Sequence, residues 1–233
     1  MVVRVIALED IEAARGRVAG LVHRTPLVRS STLSEAAGTN VYLKLELFQK
    51  TGSFKPRGAF NQLRVLMDES GADRFVGVSG GNFAQGLAYA GSVLGVSTTV
   101  VMPATTPANY VEATRGYGGA VEFVDDIAAA IDRSHELGLA GATIAHPFDH
   151  PAMMAGDGTH GLEVLQAVPE LTEVFNSVGG GGLITGVGSA IPALRPEARV
   201  WAVETDGAQV LHDSLAAGRA LSMTPTSLAR TLG

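Results

Sequence analysis

The sequence predicts an α/β fold of mostly parallel sheets with helices on both faces. Short apolar, β-rich runs alternate with helical patterns from about residue 40 onward, as in a sheet buried under its crossover helices. Glycine is abundant, 29 of 233 residues, against a usual share of roughly 7%. It recurs at three places where strand leads into helix. Apolar residues make up 46% and charged residues 17% of the chain, which excludes a disordered polypeptide.

Each element has its own signal. Residues 41–47 alternate apolar and polar partners, predicting a strand. Pro56 opens a helix that runs to residue 67. Residues 75–78 read as a buried strand and the Ala-rich stretch 84–94 as a helix. The β-branched run 97–102 is a strand stopped by Pro103. A helix over 109–117, a strand over 120–124 and a helix over 128–137 follow. The alternation closes with a helix over 153–168, a strand over 174–178, a helix over 183–194 and a strand over 200–203. Trp201, in this last apolar strand, is expected in the core. There is no internal repeat and no low-complexity linker.

Composition narrows the function classes. The net charge of −6 argues against a nucleic-acid partner or an anionic membrane surface. No cysteine is present, which removes disulfides, thiolate metal sites and a cysteine nucleophile. No apolar run reaches the roughly 18 residues of a membrane span. The first residues carry charges where a signal peptide needs an apolar core. A soluble, cytoplasmic protein is expected.

Of 17 basic residues, only Lys44, Lys50 and Lys55 are lysines, all in one short segment. Lysine can lose its proton and attack a carbonyl, which arginine cannot; chance clustering is the alternative. Lys55 lies directly before Pro56 at a helix mouth, where the positive end of the helix should ease loss of its proton. Such a lysine can form a Schiff base with an aldehyde. The second junction, Ser79, Gly80, Gly81 and Asn82, suits a carboxylate or, equally, a helix cap. The third, Gly179, Gly180, Gly181 and Gly182 before Leu183, lets backbone N–H groups surround a phosphate, unless it is merely a flexible turn. Glu204 lies at a distance that keeps a dinucleotide reading open, but no Walker loop is present.

Taken in series, these segments resemble the fold-type II pyridoxal-phosphate enzymes, in their serine/threonine dehydratase and serine racemase branch. Ser53, Phe54, Lys55, Pro56, Arg57, Gly58 and Ala59 resemble the cofactor-lysine motif. Ser79, Gly80, Gly81 and Asn82 resemble the substrate-carboxylate loop, and Gly179 to Gly182 with Leu183 the phosphate cup. The stretch from Phe148 onward also matches, and the likeness extends from about Ile11. The resemblance implies pyridoxal 5'-phosphate bound to Lys55 as a Schiff base. Phe54 would pack near the pyridine ring and Asn82 would hydrogen-bond its phenolic oxygen. It implies β-elimination from an amino acid such as L-threonine or L-serine, giving a 2-keto acid and ammonia. The implied architecture has two lobes: residues 1–47 and 146–233 form a larger, incomplete lobe, and residues 48–145 a smaller one. It allows a homodimer.

The chain also departs from that pattern. Phe83 replaces a common His, and Asp157 a common Gln. Gly80 stands where racemases carry a serine that acts as a second base, which counts against racemisation. Val210 replaces the usual acidic partner of Glu204, so no metal is expected. Family members continue beyond the residue matching Gly233, so the chain is expected to be truncated. The rival readings are a racemase, an inactive truncated homologue and a dinucleotide-binding oxidoreductase. His146 and His150 flank prolines that break any helix, giving a turn rather than a metal pair. Ser30 and Ser31 lack a nucleophile elbow. His135 and Glu136 lack the second His of a zinc-protease motif.

Overall fold

A computed structural model describes residues 6–229. The chain opens with α1 (Leu8–Val18), β1 (Leu27–Arg29), α2 (Ser31–Ala37) and β2 (Tyr42–Lys44). Two short 3₁₀ turns, Glu46–Phe48 and Lys50–Gly52, lead into α3 (Lys55–Ser70). Regular alternation follows: β3 (Arg74–Val78), α4 (Asn82–Leu94), β4 (Ser97–Pro103), α5 (Ala108–Gly116) and β5 (Ala120–Val124). Next come α6 (Ile127–Leu139), β6 (Thr143–Ile144), α7 (Pro151–Ala167) and β7 (Glu173–Ser177). The last elements are α8 (Gly182–Leu194), β8 (Arg199–Val203) and α9 (Val210–Ala217).

The sheets are mostly parallel, as expected. Strands β5, β4, β3 and β6 form one four-stranded parallel sheet in that order, with Val78 opposite Val101 in the β3–β4 register. Strands β7 and β8 form a parallel pair, and β1 and β2 an antiparallel one. Phe60, Leu63, Phe75, Phe83, Leu87 and Met102 are fully buried between the four-stranded sheet and its helices. Val18 and Met153 join the same cluster, so α1 and α7 pack onto it.

Two expectations are corrected. The strand at 41–47 is confined to Tyr42–Lys44. Beyond it the chain turns, because the Lys44 and Glu46 side chains are drawn into a buried ion cluster. Trp201 is not in the core: it is 43% exposed and stacks on Phe175, which is 66% exposed, at 6.2 Å between ring centroids. Among the described residues β8 pairs only with β7, so its apolar sequence has no further strand or helix to cover that face.

Helices α1, α2 and α9 and strand β1 precede or follow the stretch whose alternation is clear in the sequence. The signals for two of the helices are local. In α1, Ile11, Ala14 and Val18 fall on one face, and acids precede bases along the helix. In α2, the Ser30 hydroxyl accepts from the Leu33 N–H, and Gly38 closes the helix in the left-handed conformation.

Glycines set how closely the central helices approach. A Cβ on Gly156 of α7 would sit 2.4 Å from the Arg57 carbonyl oxygen and 2.7 Å from the Gly58 Cα of α3. A Cβ on Gly186 of α8 would sit 2.3 Å from the Met154 carbonyl oxygen of α7. These neighbours are backbone and cannot rotate away. Gly156→Ala should therefore destabilise the fold by about 1–3 kcal/mol through overpacking. Urea denaturation checks this; an unchanged midpoint would mean that α3 and α7 are not in tight contact.

Candidate active site

Lys55 is the first residue of α3, and Pro56 fits the second position because a first-turn N–H has no helical acceptor to lose. The Lys55 amine donates to the Pro147 carbonyl at 2.7 Å and lies 5.0 Å from the centre of the Phe54 ring. It keeps partial access to solvent. Burial pushes its pKa below the usual lysine value, and the Asp157 charge offsets part of that shift.

Two residues further along, Arg57 is fully buried. Its guanidinium grips two carboxylates, each through both oxygens. Nε and Nη2 donate to Glu46 at 2.8 and 2.9 Å, and Nη1 and Nη2 donate to Glu163 at 2.7 and 3.0 Å. Nη2 also donates to the His23 carbonyl at 3.2 Å. Lys44 donates to Glu163, and the Thr25 hydroxyl to Glu46. Burial works against both charges of the Arg57–Glu46 pair. Their mutual hydrogen bonds outweigh it, so the Glu46 pKa lies below and the Arg57 pKa above the ordinary value. His160, beside this cluster, is driven down to about 4, chiefly by burial, and is neutral at neutral pH. Sequence reading had no handle on the cluster, which joins residues from His23 to Glu163.

The loop at 79–82 connects β3 to α4. The Ser79 hydroxyl accepts from the Gly81 N–H at 3.1 Å, which shapes the loop. Neither Ser79 nor Asn82 caps α4, whose cap position is Gly81 and carries no side-chain hydrogen bond. Asn82 is the first helical residue. A Cβ on Gly80 would meet the Thr106 hydroxyl at 2.9 Å, so Thr106 fills the space of an absent side chain. Phe83 is buried in the core cluster.

Residues 179–182 connect β7 to α8. Gly181 caps α8 with φ of +90°, a conformation that L side chains rarely adopt. A Cβ on Gly180 would lie 2.1 Å from the Phe148 ring. Phe148 follows the Pro147 carbonyl that holds Lys55, so this short segment brings the lysine and the glycine loop together. Leu183, half-buried, packs against the cluster of Val187 and Ile191.

Asp157 of α7 is fully buried, and neither carboxyl oxygen has a hydrogen-bond partner. The Gly58 N–H leans toward it without completing a bond. Burial pushes its pKa up to about 7, with Lys55 and Arg57 pulling the other way. Its substitution was visible in the sequence, but its surroundings were not. Other expected features have structural uses. The Glu204 carboxylate accepts from the N–H groups of Leu211 and His212 at 2.8 and 2.9 Å, capping α9. His146 Nδ1 accepts from Asp149 N–H, and His150 Nδ1 from Ala152 N–H at the start of α7.

A partly buried lysine at one helix start and a glycine loop at another, joined through Pro147 and Phe148 on a parallel α/β scaffold, make a lysine-centred candidate site. Residues 18–233 match the family described as pyridoxal-phosphate dependent enzyme. The L-threonine ammonia-lyase of Thermotoga maritima is 42% identical over 220 residues, covering 92% of this chain and 54% of that protein. The structure of maize serine racemase superposes with a TM-score of 0.94 at 34% identity, covering 98% of this chain and 70% of that one. The processed form of threonine deaminase isoform 2 from Solanum lycopersicum superposes with a TM-score of 0.90 at 34% identity, covering 97% and 66%. The chain belongs to the pyridoxal-phosphate dependent enzyme family, whose cofactor is pyridoxal phosphate. It spans about half the length of the Thermotoga maritima relative.

Two outcomes follow from the buried charges. Arg57→Ala should destabilise the fold by about 3–5 kcal/mol, since it strands two carboxylates that it had paired. Arg57→Lys should recover only part of this, because an ammonium cannot grip both in a fork. Denaturant midpoints test both; a loss within about 0.5 kcal/mol for Arg57→Ala would contradict the pairing. Asp157 contributes a pH-dependent term. Its folded pKa, about 7, lies above its ordinary value of 3.8. It therefore favours the fold fully below the lower value, and that contribution is lost as pH rises toward and through the upper one. Asp157→Asn should flatten the fall in melting temperature between about pH 4 and about pH 7. An unaltered pH profile would place the charge elsewhere.

Proposed function

We propose that this chain carries the lysine-bearing part of a pyridoxal-phosphate-dependent ammonia-lyase. Its substrate would be a β-hydroxy amino acid such as L-threonine or L-serine, and its products a 2-keto acid and ammonia. The observation that carries the reading is the meeting of Lys55 with the 179–182 loop across Pro147 and Phe148. The likeness to the L-threonine ammonia-lyase supports the reaction class.

The residues fit the cofactor. The Lys55 amine sits where burial favours its neutral, nucleophilic form, and the first-turn N–H groups of α8 have no intrahelical acceptor. In this reading Lys55 holds the cofactor, and Phe54 packs beside its ring. Asn82 hydrogen-bonds the ring oxygen. The N–H groups of Gly179, Gly180, Gly181 and Gly182 take the phosphate, with Leu183 behind them. Ser79, Gly80, Gly81 and Asn82 orient the substrate carboxylate. When bound, the cofactor supplies an electron sink for the substrate's Cα carbanion. Once the substrate amine has displaced it, Lys55 would accept the Cα proton on its freed, neutral amine, a task that its lowered pKa suits. The β-hydroxyl leaves as water, and hydrolysis gives the keto acid and ammonia.

The maize serine racemase likeness raises racemisation as the second reading. Racemisation needs a proton donor on the face opposite Lys55. Gly80 has no side chain, Thr106 already crowds the space a Cβ would occupy, and a threonine hydroxyl does not titrate near neutrality. Elimination is favoured. We read residues 48–145 as the smaller lobe and 1–47 with 146–233 as the larger; the four-stranded sheet lies wholly within the former. No helix among the described residues is long and apolar enough to cross a membrane. A cytoplasmic enzyme of small amino acids, assembled as a homodimer, fits this reading.

The test is product analysis with L-threonine and L-serine, by chiral chromatography beside a keto-acid assay. Keto acid and ammonia with little D-isomer are expected. D-serine as the main product would sink the elimination reading. Borohydride reduction and peptide mapping should label Lys55, and Lys55→Ala should abolish the label; label on Lys44 or Lys50 would refute the assignment. Gly180→Asp should weaken cofactor binding, because any side chain there meets the Phe148 ring and a carboxylate repels the phosphate.

A further inference from the structure

The Asp157 side chain is wedged between the first turns of two helices. Its Oδ2 lies 3.2 Å from the position a Gly182 Cβ would take at the start of α8. Its Oδ1 lies 2.8 Å from the corresponding position at Gly58, in the first turn of α3. The side chain is fully buried and both oxygens lack hydrogen-bond partners. An unpaired carboxyl therefore abuts the same positive helix end that the 179–182 loop offers to an anion.

The surrounding charges do not neutralise it. From α3, Lys55 and Arg57 act on Asp157, and from the first 3₁₀ turn, Glu46–Phe48, Glu46 does so. Arg57 is already committed to Glu46 and Glu163. His160, on α7 itself, is neutral. The first turn of α8, Gly182 to Thr185, carries no titratable side chain. That leaves Lys55 as the uncommitted charge among the groups acting on Asp157, and its amine donates to the Pro147 carbonyl instead.

We propose that the protonation state of Asp157 gates anion binding at the 179–182 loop. With the carboxyl neutral, the start of α8 is free for a dianion such as a phosphate group. With the carboxyl ionised, two anions compete for one helix end in a water-poor site, and the loop releases its ligand. Anion binding therefore takes up a proton at Asp157, and proton and anion strengthen each other by the same factor. This rests on the reading of the loop as a phosphate cup. Asparagine at the position keeps the shape and removes the switch; glutamine removes it with one methylene more.

Sulfate is a suitable probe because it stays a dianion throughout the range of interest. Its binding to the cofactor-free protein would be measured by titration calorimetry at about pH 6 and about pH 8.5. The parent should bind about tenfold or more weakly at the higher pH, while Asp157→Asn and Asp157→Gln stay within about threefold. Near neutral pH, the parent in buffers of different ionisation enthalpy should show proton uptake with sulfate, a readout that needs no variant. The gate is overturned if the parent shows neither weakening nor uptake. It is equally overturned if a folded variant weakens as much as the parent, which would assign the effect to Lys55 or to His146, which interacts with it from the segment packed against Gly182. Failure of parent and variants alike to bind sulfate at either pH would reject the loop as an anion site, and with it the reading on which the gate rests.

Discussion

Lys55 owes its position to the buried grip of Arg57 on Glu46 and Glu163. Two carboxylates and two cations, Arg57 and Lys44, meet here. The charges balance, so no net charge is stranded, and each Arg57 hydrogen bond falls between 2.7 and 3.3 Å. The cluster pins the first turn of α3 to α7 and to the segment after β2. Residues two apart on a helix point to nearly opposite sides. Fixing Arg57 on one side therefore turns Lys55 to the other, toward the Pro147 carbonyl. A loose α3 start would leave the lysine free to sample solvent, where its pKa would return to the ordinary value.

Close helix packing then decides what the lysine faces. Gly156 lets α7 touch α3, and Gly186 lets α8 touch α7, backbone against backbone. Two helix starts, each with a positive end, converge on the middle of α7 as a result. That convergence explains the crowding at Asp157, since side chains on α7 have no room to turn outward. It also explains why the loop at 179–182 must be glycine for more than one reason. Gly181 adopts a left-handed conformation, while Gly180 makes room for the Phe148 ring.

The chemistry attached to this frame is decided by small residues as much as by reactive ones. In the reading proposed above, Lys55 takes the proton on one face of a substrate. Gly80 has no side chain, and Thr106, whose hydroxyl does not titrate near neutrality, fills the space a Cβ would take there. The family relation fits this arrangement, with likeness to an L-threonine ammonia-lyase in sequence and to racemase and deaminase structures in fold.

The sequence alone determined the parallel alternation from β3 to β8 apart from the two-residue strand β6, since each other strand and helix there carries its own periodicity, proline stop or glycine junction. It also determined the order of the three junctions and the lysine at the first, because a lysine beside a proline at a helix mouth is a local pattern. Only the tertiary structure decided the rest. The residues of the ion cluster lie far apart along the chain, so no window of sequence contains it. The shift at Asp157 comes from what α3 and α8 place around it, not from its neighbours in sequence. Trp201 looked like core because hydropathy reports what a strand prefers, whereas burial depends on whether another element arrives to cover it. Local preference is written residue by residue, and long-range charge balance and cover exist only once the chain has folded.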